Sequence, residues 1–428
     1  MSPAAPRENT ARKEPKERVI VVGGGIVGIG CAHYLQKAGL EVTIIDRAGI
    51  GRACSHANCG MICPSHVLPL NEPGALREGL LSLLNPSAPL RIRPQLRLDL
   101  YRWLLQFARR CTQGQMLQAG RHLLPILESS IDEYRALFAE LPAAGQWKEN
   151  GLAYVFRDES SFEAFAQTDQ LLSETYGVTA RRIEGADLET FDPSLRPDLA
   201  GAYIYDHDGS VRPDQLVRDW SRHLSCHGVE LVEGCGLEDL HTSGRSIESL
   251  QTTHGKMQAD HFVFALGAWS GKWSAALGCQ LPVEPGKGYS VTLSRPAICP
   301  RHPMLFPEQR IGVTPFDDGF RIGSMMEFVG WDTSIPPQRI QQLQDAAAPY
   351  LLSPVGDEVH ETWFGWRPMT WDSLPIIGRV PRLDNAFLAT GHNMLGLSMA
   401  TATGRLIAEL IQARPTHIDP RAFAPDRF

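Results

Sequence analysis

The hydrophobic pattern begins after a polar start. Residues 1–17 (MSPAAPRENTARKEPKE) are polar, of mixed charge and without the apolar run of a signal peptide, and are expected to be a disordered tail. Val19-Ile20-Val21-Val22 is then an apolar, β-branched run, the signature of a strand buried on both faces. A helical pattern follows through Leu35, with Gly39 placed to cap its C-terminus. Val42-Thr43-Ile44-Ile45 predicts a second buried strand, ending in Asp46.

Further along, residues 51–75 are rich in Gly, Cys, Ser, Asn and Pro and predict a long loop, a length often tied to function. Periodic Leu, Trp and Phe predict helices within 78–141, and 161–177 (SFEAFAQTDQLLSETYG) predicts another. Strands are expected at 152–156, 201–205, 229–231 and 261–265, a turn at 206–209, and a helix from Pro213 to about His227. Residues 285–330 alternate strands with turns, and 362–412 ends in a helix of small residues. Neither a repeat nor a clean linker stands out. The simplest organisation is a discontinuous nucleotide-binding domain (18–88, 200–283 and 362–428) with a substrate-binding domain (89–199 and 284–361) inserted into it.

The turn between the first strand and helix carries chemistry. Gly23, Gly25 and Gly28 form GxGxxG inside a strand–turn–helix–strand unit of about thirty residues. Gly23 permits the tight turn, Gly25 lets backbone approach a pyrophosphate, and Gly28 lets helix pack on strand. The helix N-terminus offers free N–H groups and positive partial charge to a diphosphate. Asp46 can accept from ribose hydroxyls. The motif alone does not separate FAD from NAD.

Composition narrows the classes. The 428 residues suffice for two or three domains, and 43% hydrophobic with 21% charged residues excludes a disordered chain, a collagen or a coiled coil. Lys+Arg 41 against Asp+Glu 48 gives −7, which argues against a general nucleic-acid binder. The nine cysteines contain no CxxC, and Cys54, Cys59 and Cys63 are irregularly spaced, so reduced thiols of a cytoplasmic protein are expected, with no metal. No apolar run has the roughly 18–20 residues of a membrane span. Residues 89–110 interleave Arg91, Arg93, Arg97, Arg102, Arg109 and Arg110 with Leu, Ile, Trp and Phe, a pattern shared by surface helices and by segments lying on a bilayer. No GxSxG or Ser-His-Asp ordering supports a hydrolase.

Seven segments together resemble the D-amino-acid dehydrogenase group of FAD-dependent amine oxidoreductases, relatives of D-amino-acid oxidase, glycine oxidase and sarcosine oxidase. They are VIVVGGGIVG (19–28), SHANCGMICPS (55–65), DGSVRP (208–213), FALGAWS (264–270), PGKGYSVTL (285–293), RPMTWDSLPIIG (367–378) and GHNMLGLSMATATG (391–404). The chain departs from that group at His56, Cys59 and Trp371. The resemblance implies an α/β fold, a Rossmann-like FAD-binding domain with an inserted mixed α+β substrate domain, as in D-amino-acid oxidase.

It also implies site residues. FAD would be held by Val22, Gly23, Gly25, Ile26, Val27, Gly28, Asp46 and Arg47. Ser55, Asn58, Gly60 and Met61 would pass near the flavin, and Val229 to Leu231 would carry adenine contacts. Ala265, Gly267 and Trp269 would line the cofactor. Gly391, Asn393, Leu395, Gly396, Leu397 and Ser398, before a helix from about Ser398, would face the flavin's pyrimidine edge, with His392 adding a donor. Arg367 would clamp a substrate carboxylate as a bidentate fork. Tyr289 would lie over the flavin and bond the substrate, with Lys287 nearby.

The implied reaction is hydride transfer from Cα of an amine to flavin N5, giving an imine that hydrolyses to a keto acid or, from a proline derivative, stays cyclic. The cofactor carries the redox step, and positioning with exclusion of water carries the rest, without metal or protein nucleophile. His56, His207 and His392 are candidate bases. Three readings stay open. One is a dehydrogenase of a D-amino acid (D-alanine-like, or D-proline or 4-hydroxy-D-proline-like) passing electrons to a quinone or other carrier. The others are a glycine- or sarcosine-type oxidase using dioxygen and a non-catalytic FAD-binding subunit. A cytoplasmic location is expected, with peripheral contact at the inner face of the cell membrane.

Overall fold

Two sheets organise the chain in a computed structural model that describes residues 16–75, 79 and 88–428. The expected tail, for residues 1–15, and part of the helical stretch expected from 78 lie outside the described residues. The first sheet has six strands in the order Ile376–Arg379, Ala386–Thr390, His261–Phe264, Arg18–Val22, Glu41–Asp46, Glu230–Glu233. All neighbours run parallel except Ile376–Arg379, which pairs antiparallel with Ala386–Thr390. Val19–Val22 lie between two parallel partners and are fully covered, as their unbroken β-branched run requires.

The helix Ile26–Lys37 leaves the end of the first strand, and Gly39, at φ +90°, closes its C-terminus with an N–H to Gln36 O at 2.9 Å. It crosses the helix Ala400–Ile411 closely. A Cβ on Gly30 would stand 2.5 Å from Ala400 O, and one on Gly404 would overlap Gly30 O. That crossing explains the small residues of the C-terminal helix.

The second sheet has nine strands. Its path is Val359–Thr370, Val283–Leu293, Gly319–Phe328, Ile311–Phe316, Met304–Phe306, Leu152–Phe156, Gly201–Tyr205, Arg181–Glu184, with Leu90–Ile92 added beside Gly319–Phe328. Gly201–Tyr205 and residues 362–370, expected on the nucleotide side, pair here instead. Gly201–Tyr205 lies between Leu152–Phe156 and Arg181–Glu184, and Val359–Thr370 forms the sheet's edge along the whole of Val283–Leu293. Apolar alternation marks a strand without naming its partner, which is why the pattern alone assigned them to the other sheet. The helix Leu98–Arg110 packs Trp103 on Phe328, and Gln113–Glu140, begun by Thr112, whose Oγ1 accepts the Gln115 N–H at 3.3 Å, packs on Ala400–Ile411 through Ser130 and Thr401. Among the described residues no helix is long and apolar enough to cross a membrane.

Candidate active site

A cavity of about 650 Å³ lies between the two sheets, lined at one end by the glycine turn and at the other by the edge strand Val359–Thr370. The turn is built as its spacing predicts. Gly23 sits at φ +113°, with space for a Cβ filled by Ala265 O, and a Cβ on Gly28 would overlap Gly23 O, so the third glycine packs helix on strand behind the cavity. Asp46 accepts the Gly24 N–H at 2.9 Å on one carboxylate oxygen and the Ala48 N–H at 2.8 Å on the other. It shapes the turn while its remaining lone pairs face the cavity.

The long loop begins at this turn. Ser55 Oγ accepts the Ile26 N–H at 2.9 Å, taking one free donor of the helix N-terminus. Asn58 bonds within the loop, Nδ2 to Cys54 O at 3.2 Å and Oδ1 from Gly60 N at 2.9 Å, and still lines the cavity. Gly60, at φ +74°, is there because a Cβ would overlap Val211 O. Asp208 of the 208–213 segment fastens the loop's far side, accepting from Ser65 N at 3.0 Å and Ser65 Oγ at 2.6 Å, and burial pushes its carboxyl up to about 7.

The edge strand supplies the other wall. Residues directly opposite in an antiparallel pair share a face. Arg367 pairs with Gly286, and Gly365 with Gly288, so Arg367 shares its face with Gly288 and Ser290. The guanidinium lies across Gly288, where any Cβ would overlap it, and Nη1 donates to Met325 O at 2.7 Å. Among the described residues no carboxylate pairs with Arg367. Trp363 folds over Gly365 on the same face, where a Cβ would overlap its ring. At the cavity's aromatic corner Arg47 stands 3.9 Å above the Trp269 ring, Trp269 stacks on Trp331 at 5.3 Å, and Trp366 meets both edge-on.

Tyr289 stands outside the cavity lining. It pairs with Phe364, on the face opposite Arg367, and its hydroxyl donates to Glu327 Oε2 at 2.8 Å. Glu327 is also paired with Arg339 at 2.6 Å, and Lys287, completely buried, donates to Ser334 O at 2.5 Å. Burial lowers the Lys287 ammonium, and Asp332 at 3.5 Å partly restores it. Phe364 and Trp366, on the same face as Tyr289, nevertheless line the cavity beside Arg367, so what keeps the Tyr289 hydroxyl out of the lining is its bond to Glu327.

The predicted residues divide accordingly. Val22, Gly23, Gly25, Ile26, Val27, Asp46, Arg47, Ser55, Asn58, Ala265, Gly267, Trp269, Arg367, His392, Asn393, Gly396 and Leu397 all line the cavity. Met61, Leu231, Gly391, Leu395 and Ser398 stand outside its lining, with Ser398 Oγ holding the loop through Cys63 N at 3.0 Å. Cys235, Gly236 and Leu237, just beyond the end of the strand that carries Leu231, do line the cavity, and Cys235 N donates to Asp46 O at 2.8 Å. Helix Ala400–Ile411 starts two residues past the expected Ser398, after turns.

Of the histidines, His392 bonds Thr403 Oγ1 at 3.0 Å, and complete burial lowers its pKa to about 3, so it is neutral. His56 pairs with Glu361 at 2.8 Å, and His207 is exposed on its turn. Sequence reasoning missed Cys54, Arg52, Lys272, Trp273, Trp363 and Trp366 in the lining. The tryptophan-rich ETWFGWRP (361–368) was the available signal for the last two.

A family model described as FAD dependent oxidoreductase matches residues 18–410. Among solved structures the chain is similar to glycine oxidase from Geobacillus kaustophilus, with 23% identity, TM-score 0.78, 96% of this chain and 100% of that chain covered. It is similar to L-proline dehydrogenase from P. horikoshii, with 20% identity, TM-score 0.71 and coverages of 96% and 98%. L-amino acid deaminase from Proteus vulgaris follows, with 18% identity, TM-score 0.70 and coverages of 99% and 100%. At these identities the likeness concerns the fold. FAD is the family's cofactor, and the residues present fit it: the Gly23 and Gly25 turn lies on the cavity wall, Asp46 stands at the end of the second strand, and the lining reaches from there to Arg367.

Proposed function

The chain belongs to the FAD-dependent oxidoreductase family, and we propose that within it the protein is a dehydrogenase of a D-amino acid, D-alanine-like or D-proline or 4-hydroxy-D-proline-like. The observation that carries the substrate class is Arg367, a cavity-lining guanidinium across Gly288 without a carboxylate partner among the described residues. An unpaired cation beside an apolar wall is costly unless a ligand anion meets it. A carboxylate bound by its fork is fixed in position and hand. The resemblance of RPMTWDSLPIIG and GHNMLGLSMATATG to the D-amino-acid dehydrogenase group supports the choice of hand.

Bound FAD supplies the two-electron acceptor. Arg367 holds the carboxylate, so that the substrate Cα–H faces the cofactor side of the sheet. Trp363 and Trp366 exclude water around it. Asp46, at the opposite end, is occupied by two backbone N–H groups, and His392 is neutral and bonded to Thr403. No lining carboxylate stands ready beside Arg367 as a base among the described residues. The substrate amine therefore enters neutral or loses its proton to solvent.

Two sheets with a cavity between them support a division into a nucleotide-binding and a substrate-binding unit, the second including Gly201–Tyr205 and Val359–Thr370. Electrons pass in this reading to a quinone or another carrier. The helix Leu98–Arg110 exposes Leu98, Tyr101 and Leu105 with Arg102 and Arg109, a surface suited to an anionic bilayer, while Trp103 is buried and donates to Pro282 O at 2.8 Å. Sedimentation with anionic vesicles at low salt tests that contact, and no binding there removes it.

The deciding experiment is an anaerobic panel of D- and L-amino acids, N-methyl amino acids and D-prolines, scored by bleaching of the bound flavin. D-amino or D-imino acids are expected to reduce it, and reduction by L-forms alone overturns the choice of hand. A glycine- or sarcosine-type oxidase, the reading closest to the glycine oxidase likeness, would instead turn over glycine or sarcosine with stoichiometric peroxide.

A further inference from the structure

Three consecutive carbonyls of the loop beside the cofactor cavity are held by side chains from three different strands. Ser290 Oγ donates to Ala57 O at 2.7 Å, Arg321 Nη1 to Asn58 O at 2.9 Å and Thr314 Oγ1 to Cys59 O at 2.6 Å. All three donors are buried. They stand on Val283–Leu293, Gly319–Phe328 and Ile311–Phe316, neighbours in the nine-stranded sheet. Arg321 is braced in turn, with Nε on Thr292 Oγ1 at 2.9 Å and Nη2 3.6 Å from Asp214. Glycines in two of these strands make room for the loop: a Cβ on Gly323 would stand 2.7 Å from Cys59 Sγ, and one on Gly312 3.0 Å from Met61 Cε.

The same loop is tied at its start to the other sheet's helix, through Ser55 Oγ and Ile26 N. It therefore bridges the glycine turn and the substrate sheet. A buried carbonyl needs one partner, and a single neighbouring strand could satisfy a short loop. Three donors from three strands do more, because they fix the loop's height and its tilt above the sheet. Ser290 lies on the face that carries Arg367. We infer that Ser290, Thr314 and Arg321 are positioning residues that set the separation between bound FAD and a substrate held at Arg367. The inference rests on the assignment of Arg367 given above.

The test compares Thr314→Val and Ser290→Ala, singly and together, with the hydroxyl-keeping Thr314→Ser and Ser290→Thr, all as the full-length holoprotein. Three readouts are taken: amide exchange across residues 55–62, visible circular dichroism of the bound FAD, and anaerobic flavin reduction by the best substrate of the panel. Loss of a hydroxyl is expected to speed exchange in the loop, shift the flavin dichroism, and lower the limiting reduction rate roughly tenfold with half-saturation changed less than about twofold. The hydroxyl-keeping variants are expected to restore all three. A double variant with wild-type exchange, dichroism and limiting rate overturns the inference, as does a variant that only melts earlier. If the clamp variants respond as expected while Arg367→Ala leaves half-saturation unchanged, the Arg367 assignment alone fails.

Discussion

The guanidinium of Arg367 occupies the space a side chain at Gly288 would take: a Cβ there would overlap Nη1, Cζ and Nη2 together. Gly288 of PGKGYSV thus serves the neighbouring strand, clearing a slot in which a long cation lies against the sheet. Gly288→Ala is expected to displace Arg367 and raise substrate half-saturation roughly tenfold or more, with FAD content unchanged. Substrate titration of the flavin absorbance of that variant checks it, and unaltered affinity would detach the arginine from binding.

Asp208 provides a pH signature. Its carboxyl, pushed by burial from 3.8 to about 7, binds a proton in the folded state that the unfolded chain releases. Stability from this group is complete below the unfolded value, falls as pH rises through about 7, and stays lost above it. The shift corresponds to at most about 4 kcal/mol. Asp208→Asn keeps both partners at Ser65 without the charge. The variant is expected to melt several degrees above the parent near pH 8, a gap that closes towards about pH 4. Thermal melts across that range decide it, and a gap independent of pH contradicts the assignment.

Tyr289 tests the facing of the sheet. Its hydroxyl bonds the buried Glu327, away from the cavity. Tyr289→Phe is expected to cost about 2 kcal/mol of stability, as a lost bond to a charged partner does, and to change the flavin reduction rate less than about twofold. A large loss of rate with unchanged stability would place the hydroxyl at the substrate after all.

Much of this arrangement was legible because it rests on local chemistry. The strand at Val19–Val22, the glycine turn, Asp46 and the cap at Gly39 are each specified by neighbours in sequence, and each stands where the pattern puts it. What failed was non-local. The strand pattern of Gly201–Tyr205 does not name a partner, and neither does the sequence of residues 362–370, so both were assigned to the other side. Tyr289 and Arg367 both belong to plausible motifs, yet only the register Gly286↔Arg367 shows that they face opposite ways. Past Leu231 the chain runs on, and Cys235 to Leu237 join the cavity lining, which no short sequence pattern marks. The clamp on Ala57–Cys59 joins residues more than two hundred positions apart and leaves no trace in any short window.

Asp46 forms the turn, and in the proposed reading it is also the ribose partner. Asp46→Ala removes the acceptors of Gly24 N and Ala48 N, and FAD binding to the stripped protein is expected to weaken at least about tenfold. Quenching of FAD fluorescence on titration measures it, and unchanged affinity would show that the turn holds without the carboxylate.

The most direct test of the whole account is anaerobic reduction of Arg367→Ala and Arg367→Lys beside the parent protein, over a full range of substrate concentration. The account predicts yellow, fully loaded variants whose half-saturation rises roughly a hundredfold for alanine and less for lysine, which keeps the charge but loses the fork. Variants that reduce with the parent's half-saturation would contradict it.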